Sequence, residues 1–443
     1  MKNKERDKKV KILLLGYNDN PLRGHVLYNY NVIPSEKFDK RMVVYTSLGD
    51  KKHYAFHHSN RSMLQNICRK LDFRPSNVKA KMAYRIVELA NKKKPEYCFY
   101  DVDKRCDVTA QDILDKNPDF IPDVIALYWT ASFINSKVVR DLHDLTGAII
   151  LFVFVDEAHL TGGCHYPNDC EEYLRGCHDC PALSFGKKVA EIQMADKLKY
   201  WADMPKIVFG VKSDCLLAKA SPLFNDAFAI AKVSTPEVKI TDRNIARRKW
   251  GISDNDFVFL LGANLISDIR KGIKYAIEAI NMLATKQKEL CVLLLGSQDG
   301  IIIEKLGISK NVKVISPGFL SLDDLFQAFC ASDCHISPSI ADSGPMMVNY
   351  SIACGTPVVS FNIGVARDIV LHKETGYIAK YKDSYDIAVG LEWLYKQSEE
   401  SRNRIRQNCL DLMEGLKKQQ RSVYNDVYDY VIKRKFSING NNK

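Results

Sequence analysis

The feature that most limits what this chain can become is the regular return of short, nearly unbroken apolar runs separated by helical stretches. In the first half the runs are Val10–Leu15, Met42–Tyr45, Val124–Tyr128, Ala148–Val155 and Ile207–Phe209. In the second they are Phe257–Leu261, Cys291–Leu295, Val312–Ile315, Cys334–Ser337 and Pro357–Ser360. A strand with one wet face alternates polar and apolar residues. Runs without alternation belong to parallel sheets covered by helices on both faces. Between them lie helical patterns such as Ile273, Ile277 and Ile280. Two such series in succession predict two doubly wound, Rossmann-like α/β domains, and 443 residues suit that number. The polar Ser234–Arg248 stretch, which carries Pro236, is the expected hinge. The tail turns helical through Tyr385–Tyr395 and one long Ser401–Lys435 pattern. The expected division is 1–235, with a cysteine-rich loop at 161–181, then 236–418, then a C-terminal helix at 419–443 returning to the first domain. Ligands of doubly wound sheets sit at the C-terminal ends of the strands. The two domains are therefore expected to face each other across a cleft.

Hydrophobic residues make up 46% of the chain and charged residues 26%, which excludes disorder, collagen and coiled coil as whole-chain readings. The net charge of +11 is concentrated: residues 1–11 carry six Lys/Arg against two acids, and residues 69–94 carry nine against two. That pattern suits an anionic partner on one face rather than nucleic acid throughout. Around the second patch Met63, Leu64, Ile67, Leu71, Val78, Met82 and Ile86 fall at helical spacing. They fit two core-packed helices with solvated outer faces, or a surface that docks on anionic lipid. No apolar run approaches the roughly 20 residues of a membrane span. The basic, then apolar, N-terminus runs into Gly16-Tyr17-Asn18-Asp19 without a cleavage site. It reads as a first strand, and the chain as cytoplasmic.

Four of the 13 cysteines, Cys164, Cys170, Cys177 and Cys180, fall within 17 residues, where random placement puts about half a cysteine. Zn²⁺ favours four thiolates, and the closing Cys-x-x-Cys has knuckle spacing, so a structural zinc is expected. His165 and His178 are substitute ligands. A disulfide pair, an Fe–S cluster and four unconnected thiols are the alternatives.

The segment Ser337-Pro-Ser-Ile-Ala-Asp342-Ser343-Gly344-Pro345-Met346 reads as a strand end, a small-residue loop and a helix start, with Pro345 as the first helical residue. The segment Ser343, Gly344, Pro345 and Met346 suits a phosphate, through the helix dipole and the free N–H groups of its residues other than Pro345. Ala353-Cys354-Gly355-Thr356-Pro357 closes that helix. This segment resembles the C-terminal signature of retaining family 4 glycosyltransferases, whose fold is GT-B. The resemblance gives Asp342 contact with donor-sugar hydroxyls. Tyr350 stands where the family usually has the acid that holds the ribose. Arg270-Lys271-Gly272 resembles the family's Lys-Gly element. It implies that Lys271 neutralises the donor diphosphate, with Arg270 in place of the family's missing partner arginine. Pro317-Gly318-Phe319-Leu320 resembles the turn that touches the base.

In the first half, Asp156 and the following Thr161-Gly162-Gly163-Cys164-His165 loop resemble a subgroup of these transferases. Many members have a histidine where this chain has Val155, leaving Asp156 and His159 as the polar candidates. Gly24-His25 falls where the family's glycine loop approaches the diphosphate. The resemblance implies a UDP- or GDP-sugar donor in the second domain and a saccharide or polyprenyl-linked acceptor in the first. It also implies no catalytic metal, and a place in surface-polysaccharide assembly. The other readings are a zinc-stapled basic nucleic-acid-binding protein and a GT-B nucleotide-sugar epimerase.

Overall fold

The computed structural model describes residues 9–19, 25–47, 54–58, 94, 97–99, 106, 108–184, 188–297, 303–419 and 422–440. The chain divides into two compact units. The first comprises Met1–Gly210, Asp214–Ala231 and Arg421–Lys443, and the second Val211–Ser213 and Lys232–Gln420.

The first unit is built on β1 (Val10–Asn18), β2 (Phe38–Ser47), β3 (Ala55–His58), β4 (Val124–Leu127), β5 (Ile149–Val153), β6 (Lys206–Gly210) and β7 (Phe228–Ala231). They form one sheet in the order β3-β2-β1-β4-β5-β6-β7, with every pair parallel. The second unit holds β8 (Phe257–Leu265), β9 (Leu290–Ser297), β10 (Val312–Gly318), β11 (Cys334–Ser337), β12 (Val358–Phe361) and β13 (Gly376–Ala379). Their order, β10-β9-β8-β11-β12-β13, is likewise all parallel. In both sheets the order reverses beside the first strand, between β1 and β4 and between β8 and β11. At such a switch point the loops diverge to opposite faces and leave room for a ligand. The central strands are buried on both faces, Ile12–Leu15, Ile150–Phe152 and Val258–Leu261 at 2% exposure or less. Of the expected central strands, the one from Val124 runs one residue longer in the sequence reading than in the structure and the one from Ala148 three; β3, β7 and β13 are additional edge strands.

The expected hinge is partly helical: Asp242 caps a helix over Arg243–Lys249, accepting from the Asn244 and Ile245 N–H groups at 3.0 Å. From that helix Arg247, 2% exposed, reaches buried Asp333 at 2.8 Å. Arg243 joins the same carboxylate at 2.5 Å and Arg406 lies 3.6 Å away. Asp333 also accepts the Val258 N–H at 2.9 Å. It thereby ties the start of β8 to the start of β11 and to helix Glu399–Gln419, which carries Arg406. Burial and the neighbouring Arg243 push the Arg406 guanidinium down to about 10.

The long helical pattern of the tail is two helices, Glu399–Gln419 and Val423–Gly440. The second belongs to the first unit. Its Tyr424, Val427 and Val431 are buried with Val10, Ile12 and Val44. The Tyr424 and Tyr128 hydroxyls hydrogen-bond at 2.8 Å, and Lys435 reaches Asp123 at 2.6 Å.

Removing one partner of a buried charge cluster strands the others, at a cost of about 3–5 kcal/mol. Asp333→Ala is therefore expected to lower the stability of the second unit by that amount, read as an earlier urea midpoint. An unchanged midpoint would show that the three arginines do not depend on it.

Candidate functional site

In the second sheet both strands at the switch point end in loops that converge. After β8 a short 3₁₀ turn, Ile269–Lys271, ends at Gly272, whose φ of +62° suits glycine. The same glycine lies flat against the next loop: a Cβ there would stand 1.9 Å from the Pro338 carbonyl oxygen. The Ile340 N–H donates to the Arg270 carbonyl at 2.7 Å, and the Tyr381 hydroxyl donates to the Ile340 carbonyl at 3.0 Å. Gly364, after β12, packs as closely on the Asp342 and Ser343 carbonyls.

These backbone contacts bring the sequence candidates together. The Lys271 ammonium makes an ion pair with the Asp342 carboxylate, both partly exposed. Arg270 turns instead to Asp268, with Nη2 at 2.5 Å from Oδ2 and its N–H at 3.0 Å from Oδ1. Ser343 is buried at 3% exposure, and helix Met346–Ala353 starts two residues beyond Gly344. Pro345 is not the first helical residue. Its ψ of 101° is extended, so it flanks the helix, and no side chain caps the N–H groups that follow. The site thus pairs one cation and one carboxylate beside an uncapped helix N-terminus, where the dipole favours an anion.

Phe319, beyond the Gly318 turn that ends β10, is 61% exposed, while Leu320 packs on the layer around Leu293 and Phe329. Tyr350 presents its ring edge to Phe326, centroids 5.4 Å apart. That packing within the helical layer is a different use of the position from a ribose-binding acid.

In the first unit the chain leaving β5 places Asp156 at 5% exposure. Its Oδ2 lies 2.6 Å from His165 Nδ1, and its Oδ1 accepts the Ala158 N–H at 2.9 Å. Burial pushes the Asp156 carboxyl up, but the facing His165 imidazole and these hydrogen bonds outweigh it and hold it below the usual carboxylate range. The Trp129 indole N–H, just past β4, points at the same His165 nitrogen from 3.0 Å, and Tyr17, from β1, meets the Trp129 ring edge-on at 5.2 Å. His165, singled out in the sequence only as a substitute metal ligand, is therefore the partner of Asp156. Lys197 braces the loop from beneath through the Ala158 and Thr161 carbonyls at 2.5 and 2.7 Å.

His159 does not join this group. It sits among the rings of Phe152, Phe154 and Trp201, with centroids 5.3, 5.8 and 6.4 Å away. Burial and the nearby Lys197 ammonium push its imidazole down to about 4, so it is neutral there. Gly24 and the basic stretch 69–94, apart from Lys94, lie outside the described residues.

The four clustered cysteines come into one knot. Cys164, Cys177 and Cys180 are buried and Cys170 is half-buried. The Cys164 and Cys180 thiols hydrogen-bond to each other, which with burial raises Cys164; burial pushes Cys177 up to about 11. The Gly162 N–H donates to the Cys177 sulfur at 3.3 Å. None of the described cysteines forms a disulfide. Among the described residues no three His, Cys, Asp or Glu side chains stand in an arrangement that would hold a metal ion.

Residues 242–410 match the family described as glycosyl transferases group 1. An uncharacterized glycosyltransferase of Methanocaldococcus jannaschii is 26% identical over 148 residues, 33% of this chain and 37% of that protein. The chain spans 36% to 62% of the length of the curated relatives it matches. Sucrose-phosphate synthase from Thermosynechococcus elongatus superposes with a TM-score of 0.63 at 12% identity, over 97% of this chain and 100% of the other. Anabaena HepE, solved in complex with UDP-glucose, gives 0.55 at 14% identity, over 96% and 99%. The chain has the GT-B fold, with two parallel-sheet α/β domains and C-terminal helices.

A histidine buried neutral must take up a proton only on unfolding. With a folded value of about 4 against roughly 6.5 unfolded, stability is lost as pH falls from 6.5 toward 4, by about 2 kcal/mol at pH 5. His159→Gln, which keeps an N–H but cannot titrate, is expected to flatten that part of the acid limb in denaturant titrations. Parallel curves for the two proteins would place the proton uptake elsewhere.

Proposed function

We propose that this protein is a retaining glycosyltransferase that moves a sugar from a nucleotide-sugar to an acceptor hydroxyl. One observation carries the reading: the Lys271–Asp342 ion pair spans the switch point of the second sheet beside an uncapped helix N-terminus. As the sugar–phosphate bond breaks, negative charge gathers on the departing diphosphate. The Lys271 ammonium and the N–H groups of Gly344 and Met346 are positioned to receive it, which is the kind of stabilisation that lowers such a barrier most. Asp342 is then released to hydrogen-bond the donor sugar. The site exchanges one partner of an existing ion pair and exposes no new charge. Arg270, held by Asp268, sets the backbone of the turn, and the exposed Phe319 ring offers a face to the base.

The complex of HepE with UDP-glucose supports a uridine donor, with a GDP-sugar as the alternative. In the first unit Asp156, kept ionised by His165, is a polar group beyond the end of β5; a base at Val155 is dispensable if the donor phosphate takes the acceptor proton. The acceptor in this reading is a saccharide or polyprenyl-linked sugar of surface-polysaccharide assembly, met at the inner face of the cytoplasmic membrane through the basic 69–94 stretch. No helix among the described residues is long and apolar enough to cross a membrane.

Lys271→Ala is expected to cut kcat by about a hundredfold or more and to abolish the thermal stabilisation given by the cognate nucleotide diphosphate, while leaving the unliganded melting temperature close to wild type. Near-normal turnover would remove Lys271 from the mechanism, and a panel in which no nucleotide stabilises the protein would remove the donor.

A further inference from the structure

All strands of a parallel sheet begin on one edge and end on the other, and everything in the site described above lies at the ends. The beginnings of β1 and β2 run side by side, Val10 opposite Phe38, Lys11 opposite Asp39, Ile12 opposite Lys40 and Leu13 opposite Arg41. A cavity of about 460 Å³ opens there, lined by Lys9, Lys11, Tyr30, Asp39, Lys40 and Arg41 among others. Its lining holds four cations and one carboxylate. Arg41 takes that carboxylate, Asp39, at 2.8 Å. Lys40 donates to the Ile33 carbonyl at 2.9 Å, which satisfies its hydrogen bond but not its charge. Lys11 and Arg41 both lie over the Phe120 ring, at 5.6 and 5.1 Å. Among the described residues neither Lys9 nor Lys11 has a carboxylate partner for its ammonium. Asp123, beside Lys11, is occupied: it accepts the Lys11 backbone N–H at 2.9 Å and the Lys435 ammonium at 2.6 Å. The sequence leading into Lys9 adds Lys2, Lys4, Arg6 and Lys8 against Glu5 and Asp7.

Like charges gathered around a concavity repel one another and focus a positive potential into it. We infer that this cavity is a second anion site, separate from the donor cradle, and that it takes a phosphorylated ligand with at least two negative charges. Three ammonium groups without carboxylates act as compact point charges, which match a phosphomonoester or diphosphate better than a single carboxylate. The volume lies in the range of small-ligand sites, roughly 300–1,000 Å³. It exceeds what one phosphate fills and leaves room for a carrier group beside the Tyr30 ring. A soluble phosphate compound and a phospholipid headgroup share this chemistry.

The test uses the full chain carrying Lys271→Ala, so that the donor cradle does not compete. Pyrophosphate is titrated calorimetrically at low salt, and co-sedimentation is measured with vesicles of phosphatidylcholine, with and without phosphatidic acid, whose phosphomonoester headgroup can carry two negative charges. The parent is expected to bind at least one of the two anionic probes, with affinity that collapses at high salt. Adding Lys9→Glu and Lys11→Glu should weaken that binding at least tenfold, and Lys9→Arg with Lys11→Arg should restore it. Lys9 is exposed, so Lys9→Glu alone leaves the sheet intact and should still weaken binding severalfold. Pyrophosphate binding assigns a soluble ligand, and binding to anionic vesicles alone assigns a headgroup. A parent that binds neither probe, or Glu variants that bind as the parent does, would overturn the site.

Discussion

Two loops leave the second sheet on either side of its switch point, and one backbone hydrogen bond, Ile340 to the Arg270 carbonyl, keeps them in register. Everything proposed for the donor follows from that joint. Gly272 makes it close: its left-handed backbone turns the chain out of the 3₁₀ turn, and its missing side chain lets the Pro338 carbonyl approach. The Lys271 and Asp342 side chains meet because their backbones are already fixed a short distance apart. A site set by main-chain contacts needs little side-chain reorganisation when a ligand replaces one partner of the pair, which is the condition for electrostatic stabilisation to act without delay.

The opposite edges of the first sheet show how differently charge can be handled within one layer. At the strand ends Asp156 is matched to His165 and Asp19 accepts from the Ser47 and Tyr54 hydroxyls at 2.6 and 3.0 Å. Burial and Asp19 together push the Tyr54 phenol up to about 12. At the strand beginnings cations collect with one acid among them. In the second unit the buried cluster repeats the excess of cations, three guanidiniums around Asp333, but there backbone carbonyls share the load: Arg247 alone donates to those of Ala331, Ser253, Asp254 and Asp256.

The architecture was legible in the sequence because the central strands are covered on both faces and so are written as unbroken apolar runs. The strands that left no such mark, β3, β7 and β13, all lie at sheet edges and are four residues long. β7 is largely exposed, so nothing in its composition separates it from a loop. Lys271 and Asp342 were legible because each follows a strand at a spacing that resembles a known signature. The pairing of Asp156 with His165 was not, since a loop that doubles back decides it and no local periodicity encodes that path. His159 shows the converse. A histidine two residues from a polar turn reads as a candidate in one dimension, and only the surrounding rings reveal it as core.

The helix Val423–Gly440 closes the core that Val10 and Ile12 begin, more than four hundred residues earlier. During synthesis on the ribosome, β1 and β2 therefore emerge long before the side chains that cover them, and the second unit can finish first. The first sheet must wait, partly bare, for this much later helix to be translated, and it is there that a chaperone would find exposed apolar surface.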